Sequence, residues 1–325
     1  MHNNFRVAVV IPAYCEESRI HGVLSSIPSW VDHVVVVDDA STDRTAETAS
    51  QWTDPRLAVI RHTQNQGVGG ATLTGFDKAM ELGAQILIKM DGDGQMDPGG
   101  LAALISPIVT GRADYAKANR FLHGRELAQM PWLRRFGNIG LSFMAKLASG
   151  YWSIFDPTNG YVALHADILP LLDRRRIHHR FLFETSLLME LGLHRAVVRD
   201  VYLPARYGDK TSHLSERNAL VEFPPLLILG FVRRILIEYF VRDFTAVSLL
   251  LLSGCIAFLS GTIWGVYHWW LSGHTGITAS TGTVMIAVLP LILGIQLLLQ
   301  SLVLDIANTP SEPLWPSHKS TIPPV

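Results

Sequence analysis

The sequence predicts an α/β fold built on a doubly wound, mostly parallel sheet, followed by an apolar helical hairpin. Two observations favour this class. Short runs of β-branched residues alternate with segments of helical periodicity along the first third of the chain, as in sheets that helices cover on both faces. Two later stretches carry no charge over the roughly 20 residues that a helix needs to cross a bilayer core.

Four apolar runs predict the strands of the sheet, at residues 7–11, 34–37, 57–60 and 86–90. Apart from Lys89 in the fourth run, the residues are apolar throughout rather than alternating, which is typical of parallel strands that are buried on both faces. A further strand is expected at residues 114–118. The runs are of the length that is usual for a strand of a central sheet.

Apolar residues at helical spacing predict helices over residues 16–27, 42–52, 68–82 and 138–148. The first three lie between the predicted strands, so strand and helix alternate as in a doubly wound sheet. The segment 150–161 is rich in aromatic and turn residues. We expect it to line a site.

Residues 246–270 and 284–304 carry no charge, and they predict two transmembrane helices that form a hairpin. Three arginines precede the first span, whereas residues 271–283 between the spans contain no Lys or Arg. The positive-inside rule therefore predicts that both termini and the catalytic domain lie on the cytoplasmic side of the inner membrane. A buried helical hairpin in a soluble domain is the alternative, which the length of the uncharged runs disfavours.

These patterns divide the chain into four parts. Residues 1–222 form the expected catalytic domain, and residues 223–244 mix apolar runs with charges, as an amphipathic juxtamembrane helix in contact with membrane lipids would. Residues 245–305 form the transmembrane hairpin. Residues 306–325 are rich in Pro and Ser, which predicts a flexible tail.

Composition excludes two other classes. The 27 Lys and Arg balance the 28 Asp and Glu to a net charge of −1, so no general attraction to nucleic acid is expected. Two cysteines, Cys15 and Cys255, lie in segments of opposite character and predict no disulfide framework. The sequence leaves open whether the chain forms a homo-oligomer.

Polar side chains follow three of the predicted strands, at residues 12–17, 38–43 and 91–97. Ligands of open α/β sheets bind at the carboxyl ends of the strands, so these tips are expected to form one site. Asp91 and Asp93 offer carboxylates and Gln95 an amide oxygen, which are ligands that Mg²⁺ or Mn²⁺ prefers. An Asx-rich turn that only ends a strand is the alternative.

No Gly-x-Gly-x-x-Gly follows the first strand and no Walker A motif is present, which disfavours a nicotinamide dinucleotide or a P-loop nucleotide. Residues 67–70 are rich in glycine, but they open a helix after the third strand. This segment is equally compatible with phosphate binding and with close packing. The histidines lack the spacing of metal ligands.

Four motifs together resemble family 2 glycosyltransferases. They are Val-Ile-Pro-Ala-Tyr-x-Glu-Glu at 10–17, Val-Asp-Asp-x-Ser-x-Asp at 37–43, Asn-x-Gly-x-Gly-x-Ala at 65–71 and Asp-x-Asp-x-Gln at 91–95. The blocks at 156–161 and 206–212 and the terminal helices are similar to the branch of dolichyl-phosphate mannose synthases and other polyprenyl-phosphate glycosyltransferases. The resemblance implies a GT-A fold, a nucleotide-sugar donor, inversion at the anomeric carbon and a lipid-phosphate acceptor.

The resemblance also implies the roles of individual residues at the donor site. The nucleotide-sugar contacts that it implies are Pro12, Ala13, Tyr14, Glu16, Asp38, Asp39, Asp91, Arg206, Lys210 and Ser212. The metal ligands are Asp91, Asp93 and Gln95, and Asp93 counts among the catalytic residues. Family members often carry Asn in place of Cys15 and Lys in place of Val68, so neither position receives a polar role here.

A second set of residues is assigned to the acceptor and the sugar. The acceptor-phosphate cluster consists of Arg120, Arg134, Arg135 and Asn138, with guanidinium groups suited to phosphate oxygens. An ordinary basic patch that attracts anionic lipid is the alternative. Asp156, Arg120 and Arg135 are catalytic candidates, and Asn159 and Glu184 are expected to orient the sugar. A carboxylate that stabilises a helix start explains Glu184 equally well.

The predicted reaction moves a hexose from a UDP- or GDP-sugar to undecaprenyl or dolichyl phosphate. A phosphate acceptor is already an anion near neutral pH, so it needs no strong general base. Transfer to a glycolipid hydroxyl is the alternative, and it would require a base such as Asp156. A catalytically silent, membrane-bound scaffold that binds nucleotide sugars is a third hypothesis.

Overall fold

The computed structural model describes residues 2–119, 132–203 and 216–315, including their side chains except those of residues 132–138 and 216–222. The chain forms two compact units. We call residues 1–231 and 310–325 the sheet domain and residues 232–309 the helical unit. The short helices and strands of the sheet domain position the candidate site.

The described part of the sheet domain contains one seven-stranded sheet in the order β3-β2-β1-β4-β6-β5-β7. Its strands are β1 (Val7–Ala13), β2 (His33–Asp38), β3 (Leu57–Arg61), β4 (Ile86–Lys89), β5 (Tyr115–Asn119), β6 (Val162–His165) and β7 (Val198–Tyr202). Strand β6 pairs antiparallel with β4 and β5, and the other pairs are parallel. The predicted mostly parallel sheet is confirmed.

Among the described residues of the sheet domain, six helices and three short helical turns connect these strands. The helices are α1 (Ile20–Ser25), α2 (Thr45–Ser50), α3 (Gly67–Glu81), α4 (Leu101–Val109), α5 (Trp132–Ser149) and α6 (Phe183–Leu193), with 3₁₀ turns at Pro98–Gly100, Ala166–Leu171 and Arg174–Arg176. A seventh helix, α7 (Glu216–Leu236), runs from the sheet domain into the helical unit. All four predicted helices in this region are present.

The structure shifts the ends of three predicted helices. Helix α1 begins at Ile20 rather than at residue 16, because Cys15 adopts a φ of +56° and the following residues form a turn in which Arg19 N and Ile20 N donate to Glu16 O. Helix α2 is likewise shorter than predicted, and α5 begins six residues before residue 138. Polar residues at the strand tips therefore belong to turns that face the open end of the sheet.

Helices cover both faces of the sheet, as a doubly wound fold requires. One core contains Leu87 of β4 and Tyr115 of β5, together with apolar residues of α3 and α6. The core on the opposite face contains Ile88 of β4 together with residues of α1 and α4. Because neighbouring residues of a strand point to opposite faces, the side chains of Lys89 and Lys117 lie on the face of α3 and α6.

The helical unit contains a π-helical turn, Ile237–Arg242, and two long helices, α8 (Ala246–Thr275) and α9 (Thr281–Ala307). Both helices are long and apolar enough to cross a membrane. They pack closely, since a Cβ atom added at Gly261 would lie 2.7 Å from Ala287 O. Small residues allow such close helix contact, and the expected helical hairpin is present.

The chain returns to the sheet domain after the helical unit. Backbone N–H groups of Leu314 and Trp315 donate to Asp114 Oδ1 at 2.7 and 3.1 Å. The Trp315 ring is buried and stacks on His165 with ring centroids 4.5 Å apart. The packed chain therefore extends to Trp315, further than the flexible tail expected from residue 306, and residues 316–325 lie outside the described part.

Candidate functional site

The carboxyl ends of β1 and β2 lie side by side, with Ala13 in register with Asp38. Pro12 and Ala13 are the last residues of β1 and are buried, whereas the next residue, Tyr14, is 51% exposed. An aromatic ring at an open sheet edge can stack on a planar ligand. These three predicted donor contacts therefore lie together at the edge where ligands of such sheets bind.

The loops after β1 and β2 are joined by hydrogen bonds. Cys15 N donates to Ser41 Oγ at 2.9 Å, and Glu16 N donates to Thr45 Oγ1 at 2.9 Å. Buried Glu16 also pairs with Arg19, with 3.1 Å between the charged atoms. These bonds keep the two tips together, so Glu16 is held beside the β2 tip.

Asp38 and Asp39 have different environments although they are neighbours in sequence. Asp38 is fully buried, accepts a hydrogen bond from Ser41 N and lies 3.2 Å from Arg61 Nε. Asp39 accepts hydrogen bonds from Gln66 N at 2.9 Å and Gly67 N at 2.7 Å. Both donors lie at the start of α3, so the Asp39 carboxylate caps that helix.

His62 also holds Asp39, and the sequence analysis did not identify it. Its Nδ1 lies 2.7 Å from Asp39 Oδ1, and its Nε2 lies 3.0 Å from Thr74 Oγ1. His62 follows β3 directly, so its position after a strand was the available signal. The predicted contact of Asp39 with a base edge stays a prediction, made for a carboxylate that is already fixed by three hydrogen bonds.

The glycine-rich start of α3 serves close packing. Gly69 N donates to His179 O at 2.7 Å, and Gly70 N donates to the same oxygen at 3.3 Å. A Cβ atom added at Gly69 would lie 2.6 Å from His178 O. The amide groups that would cradle a phosphate are therefore occupied by the segment before α6, which decides between the two interpretations of residues 67–70.

The acidic tip follows β4 and contains the predicted metal ligands. The Asp91 side chain is 33% exposed, and its Oδ1 accepts a hydrogen bond from Lys89 Nζ at 2.6 Å. Gln95 N donates to Asp93 Oδ1 at 3.0 Å, so the backbone of the turn holds the Asp93 side chain. Asp91, Asp93 and Gln95 all follow the end of β4, and their role as metal ligands stays a prediction.

Lys89 is the feature of this tip that the sequence analysis missed. It is 1% exposed, and its Nζ also lies 3.1 Å from Glu184 Oε1 and 3.3 Å from Gly160 O. Burial alone would lower the pKa of Lys89, but the carboxylates of Asp91 and Glu184 outweigh it and raise that pKa. Burial raises the pKa of the Glu184 carboxyl, against the opposing effect of Lys89. Glu184 is thus an internal partner of the acidic tip.

The turn at residues 155–160 closes the site from the side of β6. Asp156 has a φ of +54° and accepts hydrogen bonds from Thr158 Oγ1 at 3.4 Å and Asn159 Nδ2 at 3.2 Å. Asn159 Oδ1 accepts from Tyr161 N at 3.0 Å. Asp156 and Asn159 are both buried. The two predicted site residues therefore form one turn, and their polar atoms bind each other.

A second buried lysine holds the same turn. Lys117 is fully buried, and its Nζ donates to Phe155 O at 2.9 Å and to Asp156 O. Asp200 lies 3.9 Å from this ammonium and accepts a hydrogen bond from Asn119 Nδ2 at 2.9 Å. Burial raises the pKa of Asp200 against the effect of Lys117. A charged residue inside an apolar strand was the signal for Lys89 and for Lys117.

Other predicted site residues fall outside what the structure describes. The residues concerned are Arg120, Arg206, Lys210 and Ser212, together with the side chains of Arg134, Arg135 and Asn138. The backbone of the last three lies in α5. Their assignment to the acceptor phosphate and to a loop over the donor stays a prediction.

The acidic tip fits a divalent cation that a ligand helps to hold. No group of three or more His, Cys, Asp or Glu side chains that could hold a metal ion occurs among the described residues. Two carboxylates and an amide oxygen are nevertheless a suitable partial set for Mg²⁺ or Mn²⁺, which usually keep phosphate oxygens or waters as further ligands. Within the described part of the chain, Asp91 Oδ2 accepts no hydrogen bond from protein, so it is available to such an ion.

A mostly parallel sheet with an acidic tip after β4 and a polar edge formed by β1 and β2 is typical of the GT-A class of glycosyltransferase domain. The model of the family described as glycosyl transferase family 2 matches residues 8–171. The chain belongs to this family and is a glycosyltransferase. The resemblance inferred from the four sequence motifs is confirmed.

Two curated relatives support this membership. The UDP-N-acetylglucosamine--dolichyl-phosphate N-acetylglucosaminyltransferase of Methanococcus voltae is 34% identical over 184 residues, which are 52% of this chain and 73% of the relative. The polyprenol monophosphomannose synthase of Mycolicibacterium smegmatis is 32% identical over 173 residues, 52% of this chain and 64% of the relative. Both alignments leave the remainder of each relative unmatched.

A solved structure confirms the fold. Glucosyl-3-phosphoglycerate synthase from Mycobacterium tuberculosis, in complex with Mn²⁺, uridine diphosphate and phosphoglyceric acid, matches with a TM-score of 0.52. The match has 20% sequence identity and covers 71% of this chain and 78% of the other. A further structure of that synthase contains Mg²⁺ and uridine diphosphate. At this identity the likeness concerns the fold alone.

Proposed function

We propose that this protein transfers a hexose from a nucleotide sugar to a polyprenyl phosphate at the cytoplasmic face of a membrane, with inversion at the anomeric carbon. The observation that carries the proposal is the acidic tip of a family 2 domain, Asp91 and Asp93, in a chain that also contains two apolar helices. The names of both curated relatives, one a dolichyl-phosphate and one a polyprenol enzyme, support the acceptor class.

The donor binds across the open ends of β1, β2 and β4. Tyr14 and Glu16 contact the nucleoside, and the diphosphate lies toward Asp91 and Asp93. These two carboxylates, with Gln95, would hold Mg²⁺ or Mn²⁺, which supplies charge neutralisation for the departing diphosphate. The protein's own contribution is to keep Asp91 and Asp93 fixed on one turn before the donor arrives.

The acceptor is a phosphate rather than a hydroxyl. A hydroxyl acceptor would need a general base, for which Asp156 is the candidate. Its two carboxylate oxygens accept hydrogen bonds from Thr158 and Asn159. Both oxygens are therefore already engaged by side chains of the same turn. This arrangement favours a phosphate anion, which arginines such as Arg120 and Arg135 would position for direct attack opposite the diphosphate.

The two long apolar helices of the helical unit support the proposed membrane arrangement. Helices α8 and α9 cross the bilayer as a hairpin, residues 223–244 lie at the interface, and both termini are cytoplasmic. Four aromatic side chains belong to the far end of the first span: Trp264, Tyr267, Trp269 and Trp270. The catalytic part, residues 1–222, then works at headgroup level, where a lipid phosphate is accessible.

The test uses full-length protein in detergent with Mn²⁺ or Mg²⁺, a panel of UDP- and GDP-sugars, and undecaprenyl or dolichyl phosphate. We expect metal-dependent formation of lipid-linked sugar and of nucleoside diphosphate. Asp93→Asn should lower the rate about 10²-fold or more, because it removes a charge that stabilises the leaving group. Asp97→Asn is the matched control, because Asp97 caps the following 3₁₀ turn and Asn caps equally well.

Diphosphate release without lipid product would move the proposal to another acceptor, such as a glycolipid hydroxyl. Equal losses in Asp93→Asn and Asp97→Asn would show that the loop tolerates no change, and the metal role of Asp93 would lose its support. Donor binding without turnover on any acceptor would contradict the transferase proposal and favour a silent scaffold.

A further inference from the structure

Lys89 connects three separate segments through one atom. Its Nζ lies 2.6 Å from Asp91 Oδ1 on the strand tip, 3.3 Å from Gly160 O on the turn after β5 and α5, and 3.1 Å from Glu184 Oε1 on α6. An ammonium group has three hydrogens, and here each faces one oxygen. All three hydrogens of the Lys89 ammonium group are thus directed to oxygens of the protein.

The Lys89 ammonium group lies so close to Gly160 that no side chain fits at this position. A Cβ atom added at Gly160 would lie 2.5 Å from Lys89 Nζ, 3.0 Å from Asp91 Oδ2 and 3.1 Å from Glu184 Oε1. Residue 160 must therefore lack a side chain for the three charged groups to meet. The turn, the strand tip and α6 approach each other at this point, and their close approach explains the glycine.

The charges of the cluster do not cancel. One buried ammonium faces two carboxylates, which leaves one negative charge in excess, and Asp91 is the carboxylate that reaches solvent. Lys89 donates to Asp91 through Oδ1, so it fixes the orientation of the carboxylate, and Oδ2 lies beside Gly160 without a hydrogen bond from this ammonium. An aspartate held in this way offers the same oxygen in every molecule.

We propose that Lys89 is a positioning residue that fixes Asp91 for binding of the divalent cation and the donor diphosphate. The inference rests on the proposed function, because it concerns the same acidic tip. Lys89 acts through Asp91 and does not touch the substrate. Glu184 is the second anchor of the lysine, and it holds the ammonium group from the side of α6.

The second buried lysine provides a matched control. Lys117 equals Lys89 in burial, lies on the same face of the sheet and also donates to the turn at residues 155–160. Its carboxylate partner is Asp200, and it does not contact Asp91. Removal of either lysine together with its carboxylate partner conserves net charge and disturbs the same turn. Only the removal of Lys89 takes away the hydrogen bond that fixes Asp91.

The experiment measures the affinity of the full-length protein in detergent for Mn²⁺ in the presence of UDP or GDP, by electron paramagnetic resonance of free Mn²⁺. The variants are the doubles Lys89→Met/Glu184→Gln and Lys117→Met/Asp200→Asn, and the single Glu184→Gln. We expect the Lys89 double to bind Mn²⁺ about 10- to 100-fold more weakly, the usual effect of losing a partner of a metal ligand. The other two variants should bind as the wild type does.

Thermal unfolding of each variant is measured in parallel, so a general loss of structure is detected separately. Wild-type Mn²⁺ affinity in Lys89→Met/Glu184→Gln would overturn the inference, and so would an equal loss in both doubles. If the wild-type protein binds Mn²⁺ no better with UDP or GDP than without them, the proposed function fails and the inference fails with it.

Discussion

Two buried cations, one in each unit of the molecule, face two carboxylates each, and they hold them differently. In the sheet domain, the ammonium of Lys89 binds one oxygen of Asp91 and one of Glu184. In the helical unit, the guanidinium of Arg234 binds both oxygens of Asp305, at 2.8 and 2.9 Å, and lies 3.3 Å from Glu238. Both cations are almost completely buried.

The difference lies in how many oxygens remain for other partners. Asp305 uses both oxygens on Arg234 and accepts a further hydrogen bond from Tyr239 OH at 2.5 Å, so its cluster is closed. Asp91 is one-third exposed and keeps Oδ2 available. The planar guanidinium of an arginine can bind both oxygens of a carboxylate, whereas the ammonium of a lysine can bind one oxygen and leave the other for a further partner. Under the proposed function, Lys89 leaves an oxygen of Asp91 for a ligand, whereas Arg234 leaves none on Asp305.

The largest expected effect comes from breaking the closed cluster. Arg234→Met leaves Asp305 and Glu238 buried without their cation, which is expected to lower the free energy of unfolding by about 3–5 kcal/mol. Unfolding of the full-length protein, followed by titration from mild detergent into sodium dodecyl sulfate, measures it. Arg242→Met, at an exposed position near the same end of the unit, should change stability by only about 0.5 kcal/mol. Equal effects of the two variants would contradict the comparison.

An intermediate effect is expected from crowding the cluster of Lys89, Asp91 and Glu184. Gly160→Ala places a methyl group against Lys89 Nζ and should cost about 1 kcal/mol, the low end for overpacking, because the crowded atoms are side-chain ends. We expect the displaced Asp91 to weaken Mn²⁺ binding as well. Thermal unfolding and Mn²⁺ titration test the two effects. In Gly140→Ala, where nothing lies within 4 Å of the added Cβ, both quantities should be unaffected or improved.

The smallest effect concerns a pair near the surface, Asp54 and Arg56, whose side chains are only partly exposed. Hydrogen bonding from Arg56 lowers the pKa of Asp54 below its usual value of 3.8. A lowered pKa adds stability above the unfolded pKa, and this stability is lost as the pH falls through the folded pKa. Asp54→Asn should therefore cost about 0.2–1 kcal/mol near neutral pH, and this cost should shrink steadily as the pH falls below 3.8. Chemical unfolding of both proteins at a series of pH values from neutral into acid measures this trend, and a cost that does not shrink in acid would rule out the charge as its cause.

The sheet and its ligand-binding edge could be predicted because both depend on local patterns. Uninterrupted β-branched runs gave four strands, and the polar residues that follow them, such as Asp38 and Asp91, lie where parallel strands end. The two apolar helices were equally local signals. Element ends were less predictable, because the turn at Cys15 depends on a bond to Ser41 in another loop.

The charged clusters could not be predicted, because each joins residues that are far apart in sequence. Lys89 and Glu184 are 95 positions apart, and Arg234 and Asp305 are 71 apart. Arg234 was expected among the charges of an interfacial helix, but it is buried, since Asp305 on α9 compensates its charge. Whether such a charged residue lies in water or in the core depends on which residue is its partner, and a single sequence does not show which residues are partners.

The return of the chain to the sheet domain after the helical unit determines how a soluble fragment should be made. A fragment truncated after residue 231 would lack Trp315, expose the face of His165 and leave Asp114 Oδ1 without its two backbone donors. The fragment to express instead joins residues 2–231 to residues 310–315 by a flexible Gly-Ser linker in place of residues 232–309. Such a splice keeps the last piece of the core within the same polypeptide.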